Sequence, residues 1–200
     1  MAVIKAAVFL LSLLPLALLI WGFWNDVLGA NPIETITRNT GTWTFNFLLI
    51  TLCVSPLRAW TGWNALIRYR RMLGLFAFFY ACLHFTTYLW LDQFFEWPSI
   101  VKDIGKRPFI TAGFAAFFLL IPLALTSPQA VMRRLGGKRW QRLHQSIYPI
   151  AVIACAHYFW LVKPPALPYP ATYAVLTVIL LGWRVQRCRR RNSSRAVETG

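Results

Sequence analysis

Blocks of about twenty nearly uncharged residues recur along this chain, and each approaches the length needed to cross a hydrocarbon core about 30 Å thick. Six spans are expected: Ala6 to Trp24, Trp43 to Leu57, Met72 to Leu91, Phe109 to Thr126, Leu143 to Val162 and Ala171 to Trp183. The second and sixth are the shortest, because Pro56 and Gly182 blur their ends. Inside lipid every backbone N–H and C=O must find a partner within the protein, so a chain built this way folds as an all-α integral membrane protein, a six-transmembrane helix bundle. With 58% hydrophobic and 14% charged residues, it has too little polar surface for a soluble domain of its 200 residues.

The formal charge of +15 raises the question of nucleic acid. The basic residues do not line a face or a helix, however; they sit between the apolar blocks. One side of the expected bundle carries Lys5, then Arg58, Arg68, Arg70 and Arg71, then Arg133, Arg134, Lys138, Arg139 and Arg142, and finally six arginines of the tail. These make 16 of the 21 basic residues, whereas five of the six acids fall on the other side. Short cytoplasmic loops carry the excess of Lys and Arg, so both termini are expected in the cytoplasm. All ten tryptophans lie near the ends of spans, as in an interfacial aromatic belt.

The competing reading of the first block is a secretory signal peptide with Lys5 as its charged region and Leu28-Gly29-Ala30 as cleavage site. Its apolar run exceeds the usual length of about 7–15 residues. Residues 1–183 are expected to form one membrane domain, and 184–200 a basic cytoplasmic tail without regular structure. Cys53, Cys82 and Cys155 fall inside spans and Cys188 in the tail, with no CxxC pair, and read as small apolar filler.

Metal-binding or ionisable side chains inside a span are costly, which makes the histidines the first candidates for function. There are three: His84 in the third span, His144 and His157 in the fifth. From Arg71 to His84 is 13 steps, roughly 20 Å of helix, and from Arg142 to His157 is 15 steps, roughly 22 Å. His84 and His157 are therefore expected at one level, in the outer half of the bilayer, where imidazoles on neighbouring helices could ligate one haem iron. Hydrogen bonding across the bundle, or the lining of a wet cavity, is the plain alternative. A structural zinc site wants four ligands, and neither cysteine nor carboxylate lies at that depth. His144 is expected near the cytoplasmic surface. On one ideal helix it would stand roughly 140° from His157, so Pro149 between them predicts a bend.

Several short motifs recur in order: Leu28-Gly29-Ala30-Asn31-Pro32, Thr40-Gly41, Pro56-Leu57-Arg58, Arg70-Arg71-Met72-Leu73-Gly74-Leu75, Arg107-Pro108, Leu125-Thr126-Ser127, Leu143-His144 and His157-Tyr158. In these residues the chain resembles the ferric-reductase-like transmembrane family, which includes NADPH oxidases and holds two stacked haems between histidine pairs on two helices. Gly74 and His84 match two positions of the family's first histidine helix, and Arg70 stands where its remaining histidine would be. That departure is similar to the branch of haem-binding membrane subunits that serve bacterial periplasmic methionine sulfoxide reductases.

The resemblance implies a bacterial inner-membrane electron carrier with haem b, one or two, and FMN as a further cofactor. Its donor would be the quinol pool or a soluble flavin reductase, and its acceptor a periplasmic molybdenum enzyme, MsrP. On this reading His84 and His157 are axial ligands, while His144 with Arg70, Arg71 and Arg142 is left to a second haem, a flavin or a quinone. No phosphate-binding glycine motif is present, and the loops are too short for a dehydrogenase domain. Methionine sulfoxide chemistry would thus lie on the partner. Thr86, Thr87 and Tyr158 are the nearby candidates to orient the ligand rings. Outer loops 25–42, 92–108 and 163–170 are where a periplasmic partner would dock. Two other classes stay open: a channel or transporter with a histidine proton relay, and a membrane anchor without cofactor.

Overall fold

The computed structural model describes residues 2–198, and among them every regular element is helical. α1 spans Ala2–Trp24, α2 Pro32–Thr61, α3 Ile67–Thr86, α4 Trp97–Lys106 and α5 Pro108–Leu125. Two short helices follow, α6 (Gln129–Leu135) and α7 (Gly137–His144), and then α8 (Ile147–Leu161) and α9 (Pro168–Glu198). A 3-10 turn, Asn64–Leu66, leads into α3, and a π-helical turn, Thr87–Asp92, extends it. Four segments are long and apolar enough to cross a membrane: Val3–Trp24, Pro32–Thr61, Asn64–Asp92 and Pro108–Leu125. With 15 residues α8 is shorter, and α9 begins apolar and ends in a run of arginines.

The second helix begins well before the expected start at Trp43. Asn31 caps it, its side chain accepting from the Glu34 N–H at 3.2 Å, with Pro32 in the first turn and Glu34 paired to Arg38 at 2.6 Å. These opening turns are polar, so an apolar window clips them. Gly62 ends the helix at φ 70°, where its N–H reaches the Arg58 carbonyl. Likewise the loop expected at 92–108 holds α4. The tail expected to lose regular structure at Arg184 continues α9 to Glu198; residues 199–200 lie outside those described.

The fifth span is not one bent helix but two. α7 stops at His144, Gln145 and Ser146 form a turn, and α8 starts at Ile147 with Pro149 in its first turn. Proline has no N–H to give the Gln145 carbonyl, and the Tyr148 N–H takes that oxygen instead at 3.1 Å, tightening the turn. His144 and His157 therefore belong to different helices.

Prolines inside α1 and α2 are answered by neighbouring helices. Beside Pro15, the fully buried Tyr80 hydroxyl of α3 accepts from the Leu16 N–H at 3.2 Å and donates to the Ser12 carbonyl at 2.9 Å, bridging a pair that would otherwise bond directly. In α2, Pro56 cannot serve the Leu52 carbonyl, and the Arg184 guanidinium of α9 donates to that oxygen. Arg184 also donates to the Leu180 carbonyl at 2.8 Å and lies over the Tyr148 ring.

Two helix pairs make the most extensive interfaces, α2 along α3 and α5 along α8. Phe85 of α3 stacks on Phe117 of α5 with ring centres 4.3 Å apart, and Phe45 of α2 stacks on Tyr173 of α9 at 4.9 Å. Leu48, Leu52, Ile150 and Ala151 fill the centre.

Arg184→Met leaves the Leu52 carbonyl bare and is expected to cost about 1–3 kcal/mol. Pro56→Ala restores an N–H to that carbonyl, so the cost should shrink in the double variant. Thermal unfolding of the four proteins of this cycle in detergent checks both.

Candidate functional site

α2 and α3 bring one imidazole to the middle of the bundle, and α5 and α8 bring another. The His84 and His157 ring centres are 6.2 Å apart, with the planes at 78°. His84 Nδ1 lies 2.9 Å from the Thr37 carbonyl of α2, and His157 Nδ1 lies 2.6 Å from the Phe109 carbonyl of α5. A carbonyl only accepts, so in each ring the proton is on Nδ1 and the lone pair on Nε2. Among the described residues no hydrogen bond engages either Nε2.

Two half-buried rings thus present lone pairs with no donor to meet them. An imidazole nitrogen stands about 1 Å from its ring centre and about 2 Å from a metal it ligates, so two rings on opposite sides of one ion have centres about 6 Å apart. The observed spacing fits a metal held between these two rings. No three of His, Cys, Asp and Glu come together among the described residues, so a four-ligand protein cage is not formed. Two axial imidazoles are the donor set that haem uses.

Two glycines complete the site. A Cβ at Gly41 of α2 would meet His84 at 3.0 Å, and one at Gly113 of α5 would meet His157 at 3.0 Å. Gly41 stands in the sequence only as part of the Thr40-Gly41 motif, and Gly113 and the carbonyls of Thr37 and Phe109 do not stand out, since backbone oxygens and missing side chains announce no contact. Of the residues expected to orient the rings, Thr87 donates to the His84 carbonyl at 2.7 Å, Thr86 is exposed, and Tyr158 packs edge-on against Tyr173. The backbone of the facing helix does that work instead.

His144 stands apart from the pair. Its Nε2 is 3.0 Å from Thr126 Oγ1, and its ring stacks on Trp140 at 4.0 Å. The Thr126 hydroxyl spends its proton on the Pro122 carbonyl at 2.6 Å, so it accepts from His144, whose Nε2 carries the proton. This tautomer is opposite to that of the other two histidines. Trp140 closes the group by donating Nε1–H to the Thr126 carbonyl at 3.0 Å. Arg70 is half-buried and near enough for its charge to act on His144, whereas Arg71, Arg139 and Arg142 are exposed.

Residues 40–155 match the family described as the ferric reductase like transmembrane component. The chain is 60% identical over 92% of its length to a protein of Azospira oryzae named "Protein-methionine-sulfoxide reductase heme-binding subunit MsrQ", covering 79% of that relative. Proteins of the same name from Herminiimonas arsenicoxydans and Xanthomonas campestris pv. campestris are 51% and 52% identical, over 96% and 90% of this chain and 91% and 85% of theirs. No solved structure is a significant match.

Thr126→Val removes the acceptor that His144 uses and is expected to lower stability by about 1 kcal/mol. Trp140→Phe, which keeps an aromatic ring and loses the indole bond, should cost no more than that. Thermal unfolding of the two variants tests the arrangement.

Proposed function

The chain belongs to the ferric-reductase-like transmembrane family, and on that premise we propose that it carries electrons across a bacterial inner membrane through haem b held by His84 and His157. The observation that carries this reading is the imidazole pair, 6.2 Å between centres, with both Nδ1 protons committed to backbone carbonyls. Haem supplies one-electron iron chemistry at that position. The chain's own part is to hold two neutral rings in fixed orientation inside a dry bundle. The same two hydrogen bonds argue against a proton relay, because neither ring has a proton to pass to the other.

The reading takes all six long helices, α1, α2, α3, α5, α8 and α9, as spans, with both termini in the cytoplasm. The lopsided distribution of Lys and Arg supports this orientation. It also puts His84 and His157 in the outer half, beside a periplasmic acceptor. Relatives named as heme-binding subunits of a methionine sulfoxide reductase support an acceptor of that class, the molybdenum enzyme MsrP. At the inner end, Arg70 beside His144, with the exposed Arg71 and Arg142 next along the chain to these two, would give a cationic entry side for a quinol or for the flavin of a separate reductase. Such guanidinium groups suit the phosphate of FMN.

His84→Ala and His157→Ala should each abolish the low-spin haem absorption of the purified protein, whereas His144→Ala should leave the bis-imidazole signal of the outer site in place. Full haem spectra in both of the first two variants would refute the ligand assignment. For topology, the exposed Cys188 should react with a membrane-impermeant thiol reagent in inverted vesicles and not in intact spheroplasts.

A further inference from the structure

The two halves of the imidazole pair are built alike. In each, a helix offers a carbonyl to Nδ1 and, four residues later, a glycine to the face of the same ring: Thr37 and Gly41 for His84, Phe109 and Gly113 for His157. The contacts match in detail. A Cβ at Gly41 would fall 3.0 Å from His84 Cε1 and 3.1 Å from Nδ1, and one at Gly113 would fall 3.0 Å and 3.1 Å from the same atoms of His157. Among the described residues no other glycine faces an imidazole: Gly22 of α1 would crowd the Leu28 side chain at 2.7 Å, Gly105 and Gly137 have open space where a Cβ would be, and Gly74 meets Thr51 at an ordinary 3.7 Å.

We propose that Gly41 and Gly113 are positioning residues for the electron-transfer site: each admits its imidazole against the helix backbone at the one place where Nδ1–H can reach the carbonyl. This rests on His84 and His157 being the haem ligands. Carbonyl and glycine lie on one helix face, one turn apart, so a ring that bonds to the first must pass over the second. A methyl group there fills the space the ring uses. The ring must then shift by a few tenths of an ångström or turn, and either movement weakens a hydrogen bond that depends on distance and angle.

The bond matters chemically. Donation from Nδ1–H to a carbonyl makes the imidazole a stronger electron donor through Nε2 and so favours the oxidised metal. Loosening it shifts the iron toward the reduced state. The two glycines therefore set the reduction potential and the mutual ring angle, now 78°, without touching the metal themselves.

The test uses the full-length, haem-loaded protein. Gly41→Ala and Gly113→Ala are compared with wild type and with Gly105→Ala by haem-to-protein ratio, redox titration and electron paramagnetic resonance of the ferric form. Each of the first two is expected to raise the midpoint potential and displace the ferric low-spin signal, or to lower haem retention in protein that still accumulates, while Gly105→Ala stays at wild type. Unchanged potential, signal and retention in both would overturn the proposal. So would failure of both to accumulate in membranes that accept Gly105→Ala, since the glycines would then serve helix packing alone. His84→Ala and His157→Ala separate the two levels of argument. If these keep the wild-type haem, the ligand assignment fails; if they lose it and the glycine variants change nothing, only the role of the glycines fails.

Discussion

In a hydrocarbon environment no water stands ready for a backbone carbonyl that loses its helical partner, and this constraint shapes the polar contacts between the helices. Prolines at 15, 56 and 149 each remove an N–H from the middle or start of a helix. Specific groups answer: beside Pro15 the Tyr80 hydroxyl bridges the neighbouring pair, Leu16 N–H and Ser12 carbonyl, while the Arg184 guanidinium and the Tyr148 N–H take the carbonyls that Pro56 and Pro149 leave. The first two reach across from other helices, so the repair of a local fault becomes a tertiary contact. Arg184 serves two carbonyls on two helices, which lets a charged residue sit within the bundle without a carboxylate beside it.

The histidine pair draws on the same oxygens. The carbonyls of Thr37 and Phe109 belong to continuous helices, and each accepts an additional ring N–H through its second lone pair. That choice fixes the tautomer, which in turn fixes what the ring can do. His84 and His157 keep Nε2 free, while His144, engaged through Nε2 by a hydroxyl whose proton is already spent, keeps it occupied. Three histidines with one covalent structure are divided into two chemical classes by the acceptor each meets.

Much of this was legible in the residues. Apolar blocks located the helices, four of them long and apolar enough to cross a membrane, and counting rise from the last basic residue placed His84 and His157 at one level, where the structure brings their rings together. The polar first turns of α2 escaped because hydropathy sees the lipid-facing part of a helix and not its capped beginning, although Asn31, Pro32 and Glu34 spelled the cap. The separation of α7 from α8 was visible only as a disturbance at Pro149: a missing N–H forbids one bond, and the surrounding packing decides whether the helix bends or breaks. Gly41 stood out only as part of the Thr40-Gly41 motif, and its contact with His84, like Gly113 and the two carbonyls, could not be read. Their contribution is an absence of side chain and a backbone atom that every residue has, and only the facing helix gives either a meaning.

The near-duplication of the half-sites bears on why four helices are needed for two imidazoles. A helix can present an imidazole, but its own carbonyls point along its axis and cannot hold that ring's second nitrogen. A second helix must come close, and close approach needs a residue without a Cβ at the crossing. The unit is thus a pair, one helix carrying the histidine and one carrying carbonyl and glycine, and the site is two such units set face to face. These two pairs, α2 with α3 and α5 with α8, are also the most extensive interfaces of the bundle. Around His144 the pattern lapses: the ring has a hydroxyl for its Nε2, a tryptophan on its face and Arg70 nearby. The donors of that cluster are spent within it and Arg70 adds positive charge, whereas His84 and His157 present two uncommitted lone pairs, the kind of donor set a metal takes.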